Sequence, residues 1–257
     1  MLIVLISALL GLIFGSFINV LVIRLNTGKS VGGRSFCVAC GHKLSVHDLV
    51  PLFSYLLLLG RCRYCKCRIS LQYPIVEVTT AILFALSAWV YILPHLDEGY
   101  MLVPTIVCLG LIMMLFVAIG AYDIRHKIIP NVLVYPLILL SIIWLAITSA
   151  TPLVLISADV FFGPIAFIVF GALWYLSDGL WMGFGDAKLV LALGFILGFN
   201  AGLSALLIAF WTGAVVGIGM LCISKSAITL KSEIPFAPFL ILATIIQMLC
   251  PVLFFVT

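Results

Sequence analysis

Apolar segments long enough to cross a lipid bilayer recur along this sequence, and they constrain the fold more than any other feature. A membrane-spanning helix needs about 20 apolar residues, because the hydrocarbon core is about 30 Å thick. With 65% hydrophobic residues, the chain also has more apolar side chains than a water-soluble domain needs. We therefore predict an all-α polytopic integral membrane protein with about eight transmembrane helices, at roughly 2–23, 75–93, 102–122, 130–149, 153–176, 187–200, 203–223 and 235–256.

The basic residues predict how these helices are oriented. No basic residue precedes the first apolar run, so we expect it to stay in the membrane as a helix and not to act as a cleaved signal peptide. If its N-terminus lies outside, all 13 basic residues fall on or next to the inner side, while Asp97 and Glu98 lie outside. The net charge of +4 therefore reflects membrane orientation, and we expect no nucleic-acid partner. These bases are Arg24, Lys29, Arg34, Lys43, Arg61, Arg63, Lys66, Arg68, Arg125, Lys127, Lys188, Lys225 and Lys231.

Two aspartates lie at predicted helix ends on this inner side. Asp123 ends the third run, and Asp186 begins the sixth within the sequence GFGDAKL. Two crossings separate them, so both are expected at the same membrane boundary. Two neighbouring carboxyl groups there can share one proton, as in aspartic proteases, and so activate water and protonate a leaving amine. Each aspartate alone is also explained as a helix cap or a solvated boundary residue.

Neighbouring residues favour a functional site at these aspartates. Gly183 and Gly185 remove side chains just before Asp186, which lets backbone or substrate approach closely. Pro130 follows Asp123 and is expected near the start of the next helix. Lys188 keeps Asp186 near the membrane boundary.

The segment 24–74 holds two pairs of cysteines in C-x-x-C spacing. Cys37 and Cys40 form the first pair, and Cys62 and Cys65 the second, with 21 residues between the pairs. Four thiolates on two such turns suit tetrahedral Zn²⁺, and the inner, reducing side of the membrane favours zinc over the alternative of two disulfides. Cys67 is a fifth thiol that can compete with Cys65, and His42 and His47 are possible substitute ligands.

Five sequence motifs in order resemble the type IV prepilin peptidase family, a group of GxGD-type aspartic peptidases that are also N-methyltransferases. The motifs are GSFINVLVIRL, the cysteine loop with PLFSYLLLLGRCRYCKCRISLQYPIVE, YDIRHKIIPN, GFGDAKL and IPFAPFL. The resemblance implies Asp123 and Asp186 as the catalytic pair and Cys37, Cys40, Cys62 and Cys65 as the zinc ligands, with no metal in the peptidase step.

The resemblance also implies a two-step reaction on type IV prepilin or pseudopilin precursors. The basic leader peptide is cut off at the cytoplasmic membrane boundary, and the new N-terminal amine, usually of Phe, is methylated with S-adenosylmethionine. This predicts a multi-pass protein of the bacterial inner membrane. Its domains would be a first helix (1–23), a cytoplasmic zinc loop in the putative methyltransferase region (24–74) and a seven-helix peptidase domain (75–257).

Other functions also fit parts of the pattern. The chain departs from the family pattern at RLNTG and around His47 and Asp48, so a peptidase without methyltransferase activity is one alternative. A presenilin-like intramembrane protease also uses a GxGD motif, but its aspartates lie within the membrane spans and it lacks a cysteine loop. An ion-coupled transporter predicts acids near span centres, and a membrane scaffold predicts that both aspartates tolerate replacement.

Overall fold

The computed structural model describes residues 1–27, 30, 32–96, 102–148, 158–223 and 234–250. Over these residues the chain is all-helical, without strands beyond two isolated β-bridges. It separates into two compact units, Met1–Leu102 and Val103–Thr257, and each is described by itself below. Lys29, Asp97, Glu98, Lys225 and Lys231, which entered the orientation argument, lie outside the described residues.

The first unit is built on two antiparallel apolar helices, α1 (Leu2–Arg24) and α3 (Gln72–Ser87). Gly11 and Gly15 form the contact face of α1, because a Cβ on them would lie 2.6 Å from Ala81 Cα and 2.7 Å from Glu77 Cα, respectively. The missing side chains therefore let the two backbones touch, as small residues do in membrane helix pairs. Beyond Ser87, α3 continues through a π-helical turn (Ala88–Ile92) and a 3₁₀ turn (Leu93–His95).

The connection between α1 and α3 contains two short hairpins and a five-residue helix. The hairpins are closed by the bridges Phe36↔Lys43 and Arg61↔Arg68. Helix α2 (Phe53–Leu57) lies between them and follows a 3₁₀ turn at Val46–Asp48. Buried Arg24, at the end of α1, holds the start of the connection through hydrogen bonds to the carbonyl oxygens of residues 30, 32 and 34.

In its described residues, the second unit contains five helical segments: α4 (Leu102–His126), α5 (Asn131–Thr148), α6 (Ala158–Leu176), α7 (Phe184–Ile223) and α8 (Ala237–Leu249). Helix α7 packs against α5, α6 and α8. The largest fully buried side chains of the unit come from the middle and end of α4, joined by Leu189 of α7 and Leu240 of α8. These contacts bury the end of α4 that carries Asp123.

The predicted count of eight spanning helices is only roughly matched. Six helices in the described part of the chain are long and apolar enough to cross a bilayer, and α8 is an apolar helix of 13 residues. The predicted sixth and seventh runs are two helices within α7 that meet at Gly198, whose φ of 72° and ψ of −166° are not helical. The chain reverses there, because Phe184 packs on Trp174 of α6, Gly202 lies against Phe162 and Phe210 packs on Phe170. Asp159 of α6 accepts a 2.9 Å hydrogen bond from the N–H of Phe199 at this turn.

Candidate active site and metal centre

Asp123 lies in the last turn of α4, where its side chain is only 4% exposed. Its Oδ2 atom accepts a 3.2 Å hydrogen bond from the N–H of Ala237, the first residue of α8. The first N–H groups of a helix have no partner within that helix, so they are ready donors to a carboxylate. The N-terminus of α8 therefore holds one oxygen of this aspartate.

Asp186 lies in the first turn of α7 and is 8% exposed. Its Oδ2 atom accepts a 3.2 Å hydrogen bond from the N–H of Gly183. This is the acid half of a capping box, in which an acidic residue in the first turn reaches back to the residue before the helix. The capping role considered for Asp186 is thus real, but the side chain is also buried, unlike an ordinary solvated cap.

The two carboxylates lie close enough for their charges to interact. Gly185 lets the two aspartate motifs pack closely, because a Cβ at that position would lie only 2.8 Å from Cβ of Ile129, just before α5. At Gly183, by contrast, an added Cβ would meet nothing nearer than Oδ2 of Asp186, at 3.6 Å. The second glycine of the motif therefore serves close packing between the two aspartate motifs.

Lys188 joins the same two motifs, and Pro130 lies at the start of α5. Lys188 donates a 2.8 Å hydrogen bond to Oδ1 of Asn131, and its ammonium group lies over the rings of Tyr135 and Phe184. Pro130 is buried and its carbonyl oxygen accepts the N–H of Leu133, which starts α5. Lys188 thus holds the start of α5 against the start of α7, and Pro130 belongs to the first turn of α5.

The sequence reasoning missed Asn131 and the N–H of Ala237. Asn131 belongs to the YDIRHKIIPN motif, but the motif does not identify its side chain as the partner of Lys188. Ala237 lies between two prolines in IPFAPFL, a pattern that signals a helix start and hence unpaired N–H groups. That pattern alone does not identify the acceptor, Oδ2 of Asp123, which lies 114 residues earlier.

The four predicted cysteines converge in the first unit. The sulfur atoms of Cys37, Cys40, Cys62 and Cys65 all lie within 4.8 Å of one another, so the cluster could hold a metal ion. All eight cysteines of the chain are free thiols. Tetrahedral zinc, with Zn–S distances of about 2.3 Å, needs sulfur–sulfur distances of about 3.8 Å. The convergence of four sulfurs therefore fits one metal ion better than two disulfides.

Backbone hydrogen bonds in the first hairpin favour the thiolate forms of Cys37 and Cys40. Hydrogen bonds from the backbone of Cys40, against the effect of burial, lower the pKa of the Cys37 thiol to about 6. A backbone hydrogen bond from His42 favours the Cys40 thiolate, but burial and the Cys37 and Cys65 sulfurs raise the pKa of Cys40 to about 11. One thiolate thus opposes the formation of the next, and a bound cation relieves this repulsion.

Asp48 ties the segment between the hairpins to the second hairpin. Its carboxylate accepts hydrogen bonds from Arg63 at 2.7 Å, Tyr64 at 3.1 Å, and both the backbone and the hydroxyl of Ser45. Burial opposes its ionisation, but these donors outweigh that effect and lower the pKa of Asp48 below its usual range. Sequence reasoning treated this position only as a departure from the family pattern.

Comparison with known families matches both units of the chain. Residues 9–91 match the bacterial peptidase A24 N-terminal domain, and residues 110–218 match the type IV leader peptidase family. A prepilin leader peptidase/N-methyltransferase of Pseudomonas aeruginosa is 32% identical over 275 residues, which cover 96% of this chain and 90% of the relative. The chain belongs to the type IV leader peptidase family.

Other members of the family are similarly related. Proteins with the same name are 34% identical in Vibrio cholerae, over 74% of this chain and 76% of the relative, and 36% identical in Myxococcus xanthus, over 82% of this chain. The match spans only 61% of the Myxococcus protein's own length. No solved structure matches the chain. The family and the spanning helices together make this chain a multi-pass membrane protein, and neither favours the presenilin-like or transporter alternatives.

Proposed function

We propose that this protein removes the leader peptide from type IV prepilins and pseudopilins and then methylates the new N-terminal amine, usually of Phe. The observation that carries the proposal is the pairing of Asp123 and Asp186, two buried acids from different helices in the unit that matches the leader peptidase family. The names of the relatives, prepilin leader peptidase/N-methyltransferase, support both steps.

In the cleavage step, the two aspartates act as a general acid–base pair. Each carboxylate has one oxygen held by a backbone N–H, from Ala237 for Asp123 and from Gly183 for Asp186. In the proposal, the other oxygen of each faces the attacking water and the substrate. One carboxylate takes a proton from the attacking water, while the other carboxyl group protonates the leaving amine, so no metal takes part in this step.

Gly183, Gly185, Lys188 and Pro130 support this pair in the proposal. Gly185 lets α7 approach Ile129, and the bond from Lys188 to Asn131 keeps the two motifs together. A pair whose geometry is held in advance does not have to be assembled when the substrate arrives.

For the metal, we propose structural Zn²⁺ held by Cys37, Cys40, Cys62 and Cys65. Bound zinc would supply cross-linking and charge neutralisation to a connection that has few large buried side chains. S-adenosylmethionine is the proposed methyl donor for the second step. We further propose that 24–74 forms the methyltransferase region and 75–257 the peptidase domain.

The proposed location is the bacterial inner membrane, with the N-terminus outside and the cysteine loop in the cytoplasm. The positive-inside distribution of the bases supports this orientation. It puts both aspartates on the side where the basic leader of a precursor is located before cleavage.

The test is to incubate the purified, lipid-reconstituted protein with a prepilin-like precursor and isotope-labelled S-adenosylmethionine. Mass spectrometry should find first the shortened pilin and then the pilin carrying one labelled methyl group. A precursor that stays intact would contradict the peptidase function. Cleavage without label in the product would leave the alternative of a peptidase alone.

A further inference from the structure

The two cysteine hairpins are structural repeats of each other, 25 residues apart. In each, the N–H of the first cysteine bonds the carbonyl oxygen five residues later: Cys37 to His42 and Cys62 to Cys67, both at 2.9 Å. In each, the residue after the second cysteine has a positive φ, 70° at Gly41 and 60° at Lys66. Cys67 therefore takes the position in the second hairpin that His42 takes in the first.

His42 and Cys67, which occupy corresponding positions, make different contacts. The ring of His42 stacks on Tyr64, with ring centroids 3.7 Å apart. The sulfur of Cys67 lies 3.7 Å from the sulfur of Cys37, while that of Cys65 lies 3.9 Å from the same atom. Both distances equal the edge of a zinc–thiolate tetrahedron, about 3.8 Å for Zn–S bonds of about 2.3 Å. Two sulfurs of the second hairpin, those of Cys65 and Cys67, thus lie about equally near the sulfur of Cys37.

We propose that Cys67 is a reserve ligand that exchanges with Cys65 at the metal. The inference rests on the proposed zinc site. Cys37, Cys40 and Cys62 are its constant ligands, and either Cys65 or Cys67 fills the fourth position. In the exchange, the Cys67 thiol gives up its proton and binds as thiolate, and the departing Cys65 thiolate takes up a proton. Charge and coordination number stay the same.

Alkylation of the wild-type protein tests the exchange without any substitution. The zinc-loaded protein is treated with iodoacetamide, and tandem mass spectrometry locates the label in the peptide that contains both cysteines. We expect at most one label in this peptide, on Cys65 in some molecules and on Cys67 in others, with Cys37, Cys40 and Cys62 protected. Label confined to Cys67 would make Cys65 a permanent ligand and overturn the inference.

Metal content of variants gives an independent test. Cys65→Ser and Cys67→Ser should each keep about one zinc per chain, and Co²⁺ should show the absorption of four thiolate ligands in both. The double variant and Cys40→Ser, whose hairpin has no thiol beyond its two proposed ligands, should lose the zinc. If Cys65→Ser loses zinc as fully as the double variant, the reserve role is wrong. A wild-type protein that binds no metal would overturn the proposed zinc site itself.

Residues 52–59, called the leucine segment below, start close to the helix of a candidate span. The N–H of Leu52 donates a 2.8 Å hydrogen bond to Oε2 of Glu77, which is the sixth residue of the candidate span Gln72–His95. Five residues of helix correspond to about 8 Å along its axis. The leucine segment therefore starts beside the second turn of that candidate span, although it belongs to the connection between two spans.

The leucine segment exposes its apolar side chains instead of burying them. Leu57 is 82% and Leu59 is 86% exposed in the described structure. A shallow cavity beside them is lined by Leu58, Leu59, Arg61, Cys62 and Lys66, which combines apolar side chains with two cations. Anionic lipid offers the complementary combination of acyl chain and negative headgroup.

We infer that the leucine segment is inserted into the interfacial layer of the membrane, with Leu57 and Leu59 among the acyl chains. Arg61 and Lys66 then lie among anionic headgroups. The surface is thus assigned to lipid and not to a protein partner, because Glu77 fixes its start beside a candidate membrane span.

Photo-crosslinking of the wild-type protein tests this assignment. The protein is reconstituted in nanodiscs of phosphatidylcholine and phosphatidylglycerol that contain a lipid with a diazirine in its acyl chain. Crosslinks should occur at Leu57 and Leu59 and be absent at Val38 and Val46, which are 75% and 80% exposed in the same connection. Equal labelling of the four residues, or labelling of the two valines alone, would overturn the inference.

Discussion

The backbone N–H of Ala237 donates a hydrogen bond to Oδ2 of Asp123 across 114 residues of sequence. The start of α8 thereby holds one of the two buried acids, while the residue before α7 holds the other. Both carboxylates are oriented by helix N-termini, which favour negative charge. This arrangement leads to the first two predictions.

Replacement of either aspartate should stop cleavage. Asp123→Asn and Asp186→Asn keep the size of the side chain but remove the carboxylate, so cleavage of a prepilin-like precursor should fall by at least roughly 10²–10⁴-fold. Leader loss is measured by mass spectrometry, and insertion by membrane fractionation. Asp178→Asn, at an exposed turn in the same unit, is the matched control and should cleave normally. Normal processing by either catalytic variant would exclude the proposed pair.

The two glycines of the GFGDAKL motif should differ in their tolerance of a methyl group. Gly185→Ala puts a Cβ 2.8 Å from Cβ of Ile129, so the two aspartate motifs must separate and cleavage should fall by about tenfold or more. Gly183→Ala meets only an ordinary contact at 3.6 Å and should cleave within a few-fold of wild type. Initial cleavage rates compare the two variants. A Gly185→Ala protein as active as Gly183→Ala would contradict the close-packing role.

Loss of the cysteine cluster should affect methyl transfer more than cleavage. The cluster and the aspartate pair lie in different compact units, so Cys40→Ser should lose zinc and labelled methyl in the product while leader removal continues. Zinc is measured by elemental mass spectrometry. Cys222→Ser, at an exposed thiol near the end of α7, should keep metal and both activities. Full zinc content after replacement of all four cysteines would refute the site.

The ion pair of Asp48 and Arg63 should stabilise the cysteine loop at neutral pH but not in acid. The folded-state pKa of Asp48 lies below its usual value of about 4. Its stabilisation is therefore complete above that value and is lost as pH falls through the folded-state pKa. Arg63→Gln should speed hydrogen exchange of the N–H of Ser45 at pH 7, and the difference from wild type should shrink in strong acid.

Arg68→Gln is the control for this prediction, because no salt bridge of Arg68 is found in the described residues. It removes a base from the same hairpin and should leave exchange at Ser45 unchanged. Equal effects of the two substitutions would attribute the result to net charge and not to the ion pair.

Much of this protein could be predicted from local sequence. Runs of apolar residues indicated the helices of the described structure within a few residues, because in a bilayer the backbone must satisfy its hydrogen bonds within each span. The two runs within α7 meet at Gly198, close to the turn predicted at 199–202. Asp159 of a neighbouring helix supplies the acceptor for the N–H of Phe199, at the start of the second run.

The sequence by itself determined the membrane class, the two acids and the four convergent cysteines, because hydropathy, charge and C-x-x-C spacing depend on near neighbours in the chain. Only the tertiary structure decided which groups meet: Ala237 with Asp123, Asn131 with Lys188, and Cys67 with Cys37. These partners are 30 to 114 residues apart. The sequence around such a hydrogen-bond donor or thiol does not identify its distant partner. The partner is determined by how the helices and hairpins pack in the folded chain.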